Sequence, residues 1–241
     1  MRSPLPDPGI DRWSGLRRQA RLAVLATLTL GVAACAPRTA VTSVRAQDYA
    51  QQPKRIYVIA ASGMGWGPAF APTFRAKFRD ILRGCGATAA FEDVTGLELD
   101  RRPAEARVAA FKPDAVLTIA STGGVVEVGG SRLSIDYNTT LSDVGQNRAV
   151  WRAKFAFSRG SSAISLAERG AVFAIELSNK LKSDGLLTGC LPIPLDSNGR
   201  LDASAIPKPR PDDITPSLAV TRPTISGKPT LKDLQDLLPT N

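Results

Sequence analysis

Histidine is absent from all 241 residues. That excludes any nucleophile system in which an imidazole takes the proton, whether Ser-His-Asp or Cys-His. It also removes a common zinc ligand, and with three cysteines in the chain a zinc site would need carboxylates. The serines of SGMG, STGG and RGSS have no lysine at Ser-x-x-Lys spacing, and Ser62 lacks the G-x-S-x-G elbow, so it reads as a turn serine. Basic residues never run to five in a row and aromatics do not interleave with them, which argues against nucleic acid. No apolar run approaches the roughly 20 residues of a membrane-spanning helix. No catalytic residue, metal ligand or cofactor is therefore assigned.

What is present begins with a targeting signal. Arg12, Arg17, Arg18 and Arg21 precede Leu22–Ala34, thirteen residues without charge that end in Val32-Ala33-Ala34 just before Cys35. A basic region, a short apolar run and small residues at the cut are the parts of an export signal. The cysteine leaves two readings: a lipoprotein signal, or cleavage at an A-x-A-like site with Cys35 incidental. The order of all three parts favours the first. Val32–Cys35 resembles the lipobox of bacterial lipoproteins, which implies that Cys35 becomes the acylated first residue after removal of residues 1–34. In such lipoproteins an Asp after the cysteine holds the protein in the inner membrane. Ala36 stands there, so the resemblance implies the periplasmic face of the outer membrane.

Residues 35–53, rich in Thr, Ser, Gln and Ala, read as a flexible tether. The net charge of +9 falls to +6 once five Arg and two Asp leave with the signal, a balance that reads as a solvated basic surface. Cys85 and Cys190 remain. In an exported chain they form either one disulfide or two free thiols, and the even number favours the bridge.

Residues 54–190 carry the regular patterning of one domain, ample for one core. Arg55–Ala61 is an apolar run expected as a buried strand. Phe70, Phe74, Phe78 and Ile81/Leu82 then make one stripe of a helix, with Arg75, Lys77, Arg79 and Arg83 facing elsewhere. Pro72 fits only the first turn, and Gly84 and Gly86 end the helix. Ala87–Val94 is a second strand, Arg102–Phe111 a short helix and Ala115–Ala120 a third strand, the pattern of parallel pairing. After a strand-end glycine loop at Thr122–Gly124, Val125–Val128 meets Gly129-Gly130, a hairpin turn. Leu133, Ile135, Tyr137, Thr139 and Leu141 alternate with polar residues, and Ala149, Trp151, Ala153, Phe155 and Phe157 alternate with Arg152 and Lys154. Ser161–Ser183 closes the domain as a helix capped by Ser161 or Ser162 and stopped by Gly185. The expected fold is α/β (α+β): a mixed sheet, βαβα followed by an antiparallel β-meander and a closing helix. Residues 191–241 hold half of the prolines and read as an extended tail with a short amphipathic end at Leu231–Leu238.

Two groups of residues could carry function. Glu92, Asp93, Glu98 and Asp100 fall where strand-to-helix loops gather, and a carboxylate pair there could hydrolyse a glycan. Their other reading is helix capping and pairing with surface arginines. Gly63-Met64-Gly65-Trp66-Gly67-Pro68 is not a phosphate loop: no lysine follows, and Pro68 lacks the N–H that would face a phosphate. Met64 and Trp66, with Thr122 of the next strand-end turn, are instead the candidate recognition residues. The hairpin Asp143…Val150-Trp151-Arg152, with the element order of residues 54–187, resembles the N-terminal domain of TolB and the related domain of CsgG-type envelope lipoproteins. That resemblance implies binding or assembly with an envelope protein partner. The expectation is a lipid-anchored interaction module; the alternatives are an envelope enzyme acting on peptidoglycan or glycans, and a small-ligand-binding module.

Overall fold

The alternating and apolar runs build one six-stranded sheet: β1 (Ala40–Arg45), β2 (Arg55–Ala61), β3 (Thr88–Val94), β4 (Ala115–Val126), β5 (Leu133–Asp143) and β6 (Arg148–Ser158). The computed structural model describes residues 39–61, 69–94, 100, 102–126, 133–158 and 164–214. These lie in the second of the chain's two compact units; the first, Met1–Pro37, is outside the described residues. Sheet order is β1-β6-β5-β4-β2-β3. Strand β2 pairs parallel with β3 and β4, and the pairs β4–β5, β5–β6 and β6–β1 are antiparallel. Helix α1 (Phe70–Gly84) joins β2 to β3, α2 (Arg102–Phe111) joins β3 to β4, and α3 (Leu166–Ser183) follows the meander. The mixed α+β sheet is the expected fold class.

Helices α1 and α3 cover one face. Phe70, Phe74 and Phe78 are buried, as the spacing requires. They meet an aromatic cluster around Phe173, whose ring centroid lies 4.3 Å from Tyr137, 5.5 Å from Phe74 and 5.5 Å from Phe157. Gly170 lets the helices close: a Cβ there would sit 2.2 Å from the carbonyl oxygen of Phe70. Both helices end alike. The N–H of Ala87 donates to Leu82 and that of Leu186 to Leu181, across Gly86 and Gly185 at φ +70° and +73°. These are the bonds that satisfy a helix's last carbonyls when the next residue is left-handed.

Several expectations need correction. Residues 40–45, placed in the tether, are edge strand β1, paired with β6 from Ala40↔Ala156 to Arg45↔Trp151. Side chains fasten it from below: Thr39 Oγ1 donates to Glu176 at 2.6 Å and Ser43 Oγ to Asp184 at 2.7 Å. Tyr49 is buried in the core, and its hydroxyl donates to Asp143 at 2.9 Å. Thr122–Gly124 is not a strand-end loop, and the Gly129-Gly130 turn lies outside the described residues. Strand β4 runs through Thr122–Gly124, with a bulge between Ser121 and Gly123. A second register shift, between Leu141 and Ser142, pairs Leu141 with Trp151 and Ser142 with Ala149, leaving Val150 over. One extra residue reverses the alternation, so Ala149 moves off the core side and Val150 joins Trp151 in it. Helix α3 is capped by Ser165, whose side chain accepts from the Glu168 N–H; Ser161 and Ser162 lie outside the described residues.

The tail corrects the reading most. Residues 191–214 are docked, extended except for a 3-10 turn at Ala203–Ala205 and a single helical turn at Pro211–Ile214, and form a strap across the outer sides of α1 and α3. Ile193, Leu195 and Leu201 cover Ile81, Cys85 and Ile175, a second apolar cluster separate from the main core. Asn179 fixes the strap's course, its amide donating to the Ile193 carbonyl at 2.8 Å and its oxygen accepting from the Ile193 N–H at 2.9 Å. Cys85 and Cys190 are joined in a disulfide at its start. Arg75, expected to face outward, is buried because it turns to Asp93 and to the Asp213 carbonyl near the strap's end. Residues 215–241, with the Leu231–Leu238 segment, lie outside the described residues.

Candidate functional site

Successive residues of a strand point to opposite faces. On β3 this separates the two carboxylates considered for catalysis. Glu92 is buried toward α2, where it accepts from Tyr57 Oη at 2.6 Å and pairs with Arg107. Burial first, then the Glu92 hydrogen bond, pushes the Tyr57 hydroxyl above its ordinary range, so it stays a donor. Asp93 points to the α1 side and pairs with Arg75. Asp100 is exposed; it accepts from the backbone N–H of Arg102 at 3.0 Å, and the Arg102 guanidinium holds its carboxyl below the usual range. Glu98 lies outside the described residues. Glu92 and Asp93 thus face different layers and cannot flank one scissile bond. Asp100 caps the start of α2 as expected, whereas Glu92 and Asp93 are counter-charges of a half-buried Arg107 and a buried Arg75 and not of surface arginines.

Thr122 is the extra residue of the β4 bulge, not part of a loop. It is exposed, and its hydroxyl donates to the Asp136 carbonyl at 3.2 Å. Met64, Trp66 and Cys35 lie outside the described residues. The Asp143 hairpin is explained locally. One carboxylate oxygen of Asp143 receives the Tyr49 hydroxyl, and the other accepts from the Gln146 N–H at 2.7 Å across the turn. Trp151 is buried with Phe155 and Phe157, as expected, and its indole N–H donates to Asp184 at 2.7 Å.

The sequence reading missed the sheet's second face. Helix α2 covers only its parallel end: Phe111 meets Tyr57 edge-on at 5.7 Å, and Arg55 stacks on Phe111 at 4.8 Å. Over β1, β6 and β5 no described element lies on that side. The pairing sets Val44, Arg152 and Thr140 in one row and Thr42, Lys154 and Asn138 in the next. These rows line an open groove of about 510 Å³. Val44 is 72 % exposed. Arg152 and Lys154 are exposed, and neither side chain has a hydrogen-bond or ion-pair partner among the described residues. The alternation Arg152-Ala153-Lys154 was visible in the sequence as a wet face, but its neighbour β1 was not, so no groove could be drawn. Among the described residues no helix is long and apolar enough to cross a membrane.

The class these elements define is an α+β domain with an open mixed sheet. No protein family matches the chain, and no curated protein matches it. It is similar to solved structures at low identity. The PelC dodecamer from Paraburkholderia phytofirmans is 16 % identical over 54 % of this chain and 88 % of that one, with a TM-score of 0.38. Lipoprotein GNA1162 from Neisseria meningitidis is 16 % identical over 55 % and 97 %, with a TM-score of 0.34. Protein XCC0632 from Xanthomonas campestris, of family DUF330, is 14 % identical over 57 % and 83 %, with a TM-score of 0.31. Likenesses this distant transfer no function.

Proposed function

We propose that this chain is a lipid-anchored envelope lipoprotein, held at the periplasmic face of the outer membrane, whose domain serves recognition or assembly. One observation carries the choice of binding over catalysis: Glu92 and Asp93 are tied to Arg107 and Arg75 on opposite faces of β3. The export signal and Cys35 supply the anchor, and the Cys85–Cys190 bridge suits an oxidising compartment. The likeness of the Asp143…Arg152 hairpin to TolB-type and CsgG-type domains points the same way. Met64, Trp66 and Thr122 are the residues we assign to an envelope protein partner.

The test is fractionation of a Cys35→Ala precursor beside the parent chain, with a photo-crosslinking residue placed at Thr122. The parent is expected in the membrane fraction with a discrete crosslinked protein, and the variant is expected to leave that fraction. Undiminished anchoring of Cys35→Ala would overturn the lipid anchor. Crosslinks indistinguishable from those of a position on the strap, such as Lys208, would overturn recognition at Thr122.

A further inference from the structure

We infer that the open face of β1, β6 and β5 rests on anionic phospholipid headgroups, with Lys154 and Arg152 as its contacts. The inference builds on the lipid anchor proposed above and names what that anchor holds the domain against. Three observations carry it.

The first is the length of chain between anchor and sheet. Strand β1 begins at Ala40, so four residues separate it from Cys35. Five Cα steps at the extended limit reach roughly 18 Å, so an acylated Cys35 keeps β1 close to the bilayer. A free tether to residue 53 would have set no such bound. The second is where Ala40 lies. It pairs with Ala156, and Lys154 sits opposite Thr42, one same-face step of about 7 Å further along the sheet. Arg152, opposite Val44, is one step beyond. The third is charge. Glu176 and Asp184, the acids nearest β1 on the helix side, are engaged by Thr39, Ser43, Trp151 and Lys180. On the open side the Arg152 and Lys154 side chains have no described partner, and the carboxylate that shares their face among the described residues is Asp136. Cations near an anionic leaflet are drawn to its negative surface potential. Long basic side chains also extend their charge to a headgroup layer while their stems lie on the sheet. Thr42, Asn138 and Thr140 add hydroxyl and amide donors for phosphate oxygens.

The test uses the mature lipidated protein in vesicles of phosphatidylcholine, with or without phosphatidylglycerol, treated with a water-soluble amine-reactive reagent. Labelling of Lys154 is read by mass spectrometry against Lys208, which is exposed on the strap. Lys154 labelling is expected to fall several-fold when phosphatidylglycerol is present and to recover in high salt, which screens headgroup attraction. An Arg152→Glu variant is expected to lose most of that protection while its melting temperature stays unchanged, since the side chain is exposed. Glycerol phosphate added to the phosphatidylcholine vesicles is expected to give no protection, which separates a lipid surface from a site for free phosphate. Lys154 labelled equally in both vesicle types, or protected by free glycerol phosphate, overturns the inference. The mass of the peptide beginning at Cys35 separates the two proposals: without acyl chains the anchor itself fails, whereas acylation with an unprotected Lys154 sinks only the face.

Discussion

At the scale of single residues, Asp184, just past the end of α3, ties three elements together. It accepts from Ser43 of β1 and the indole of Trp151 in β6, and it pairs with Lys180 at 3.0 Å. Burial alone would raise its pKa; the hydrogen bonds from Ser43, Trp151 and Lys180 outweigh burial and hold the carboxyl below the usual range. A carboxyl depressed in the folded state stabilises the fold above its unfolded pKa, near 3.9, and that contribution is lost as pH falls through the folded value. Asp184→Asn is therefore expected to cost about 1.5–3 kcal/mol at neutral pH, the worth of a hydrogen bond to a charged group. Urea melts along a pH series check the sign: the gap between parent and variant should narrow as pH drops below about 4. A gap that stays constant would mean that packing, not charge, fixes the site. Glu92 and Asp93 teach the complementary lesson. Adjacent in sequence, they are divided by the pleat, and a spacing of one in a strand is the wrong spacing for a shared substrate.

At the scale of elements, much was legible because periodicity and helix ends are local. The Phe70–Phe74–Phe78 stripe, the Gly86 and Gly185 stops, and the period-two runs of β5 and β6 each depend on a few neighbouring residues. Strand β1 was hidden by composition. Ala40-Val41-Thr42-Ser43-Val44-Arg45 holds three β-branched residues, the available signal, but as an edge strand it buries only one side partway. Its partner β6 is more than a hundred residues away, which no local pattern encodes. The bulges at Thr122 and Val150 were equally silent, since one unpaired residue shows only against a partner strand. The Cys85–Cys190 bridge was within reach, because export and an even cysteine count restrict the choices. It closes a separation of 105 residues, which in the chain-entropy account stabilises by roughly 4–5 kcal/mol. The double replacement Cys85→Ala with Cys190→Ala is expected to lose about that much in urea unfolding, somewhat more where the buried Cys85 site is left underpacked. Unchanged stability would mean that the unfolded chain is already constrained by other contacts.

At the scale of the whole molecule, the two faces of the sheet are treated differently. One is closed in two stages: α1 and α3 cover the strands, and the strap then covers the helices. Among the described residues the other is closed only where α2 lies, and the antiparallel half is left open as a surface. On the closed side the strap supplies counter-charges as well as apolar cover. Glu168 of α3, only 5 % exposed, pairs with Arg200 at 2.9 Å, and the fully buried Asp213 pairs with Arg79 at 2.6 Å. Proline-rich composition suggested a free tail because it describes the backbone's preference for extension and says nothing of what Ile193, Leu195 and Leu201 meet. If the strap completes the fold, a chain ending at Pro192 should suffer twice. Glu168 and Arg79 lose their charged partners together with the strap that shields them, so both ion pairs are replaced by solvated charges. Ile81 and Ile175 also lose cover, each worth up to about 1.5–3 kcal/mol on full exposure. For a domain of this size each kcal/mol moves the melting temperature by roughly 2–4 °C, so the expected fall is about 10 °C or more. A chain ending at Ile214 retains every one of these contacts and is the proper reference. Calorimetry of the two truncations side by side separates the possibilities. A large difference makes residues 193–214 part of the domain, and coincident melting curves would return them to the status of a tail.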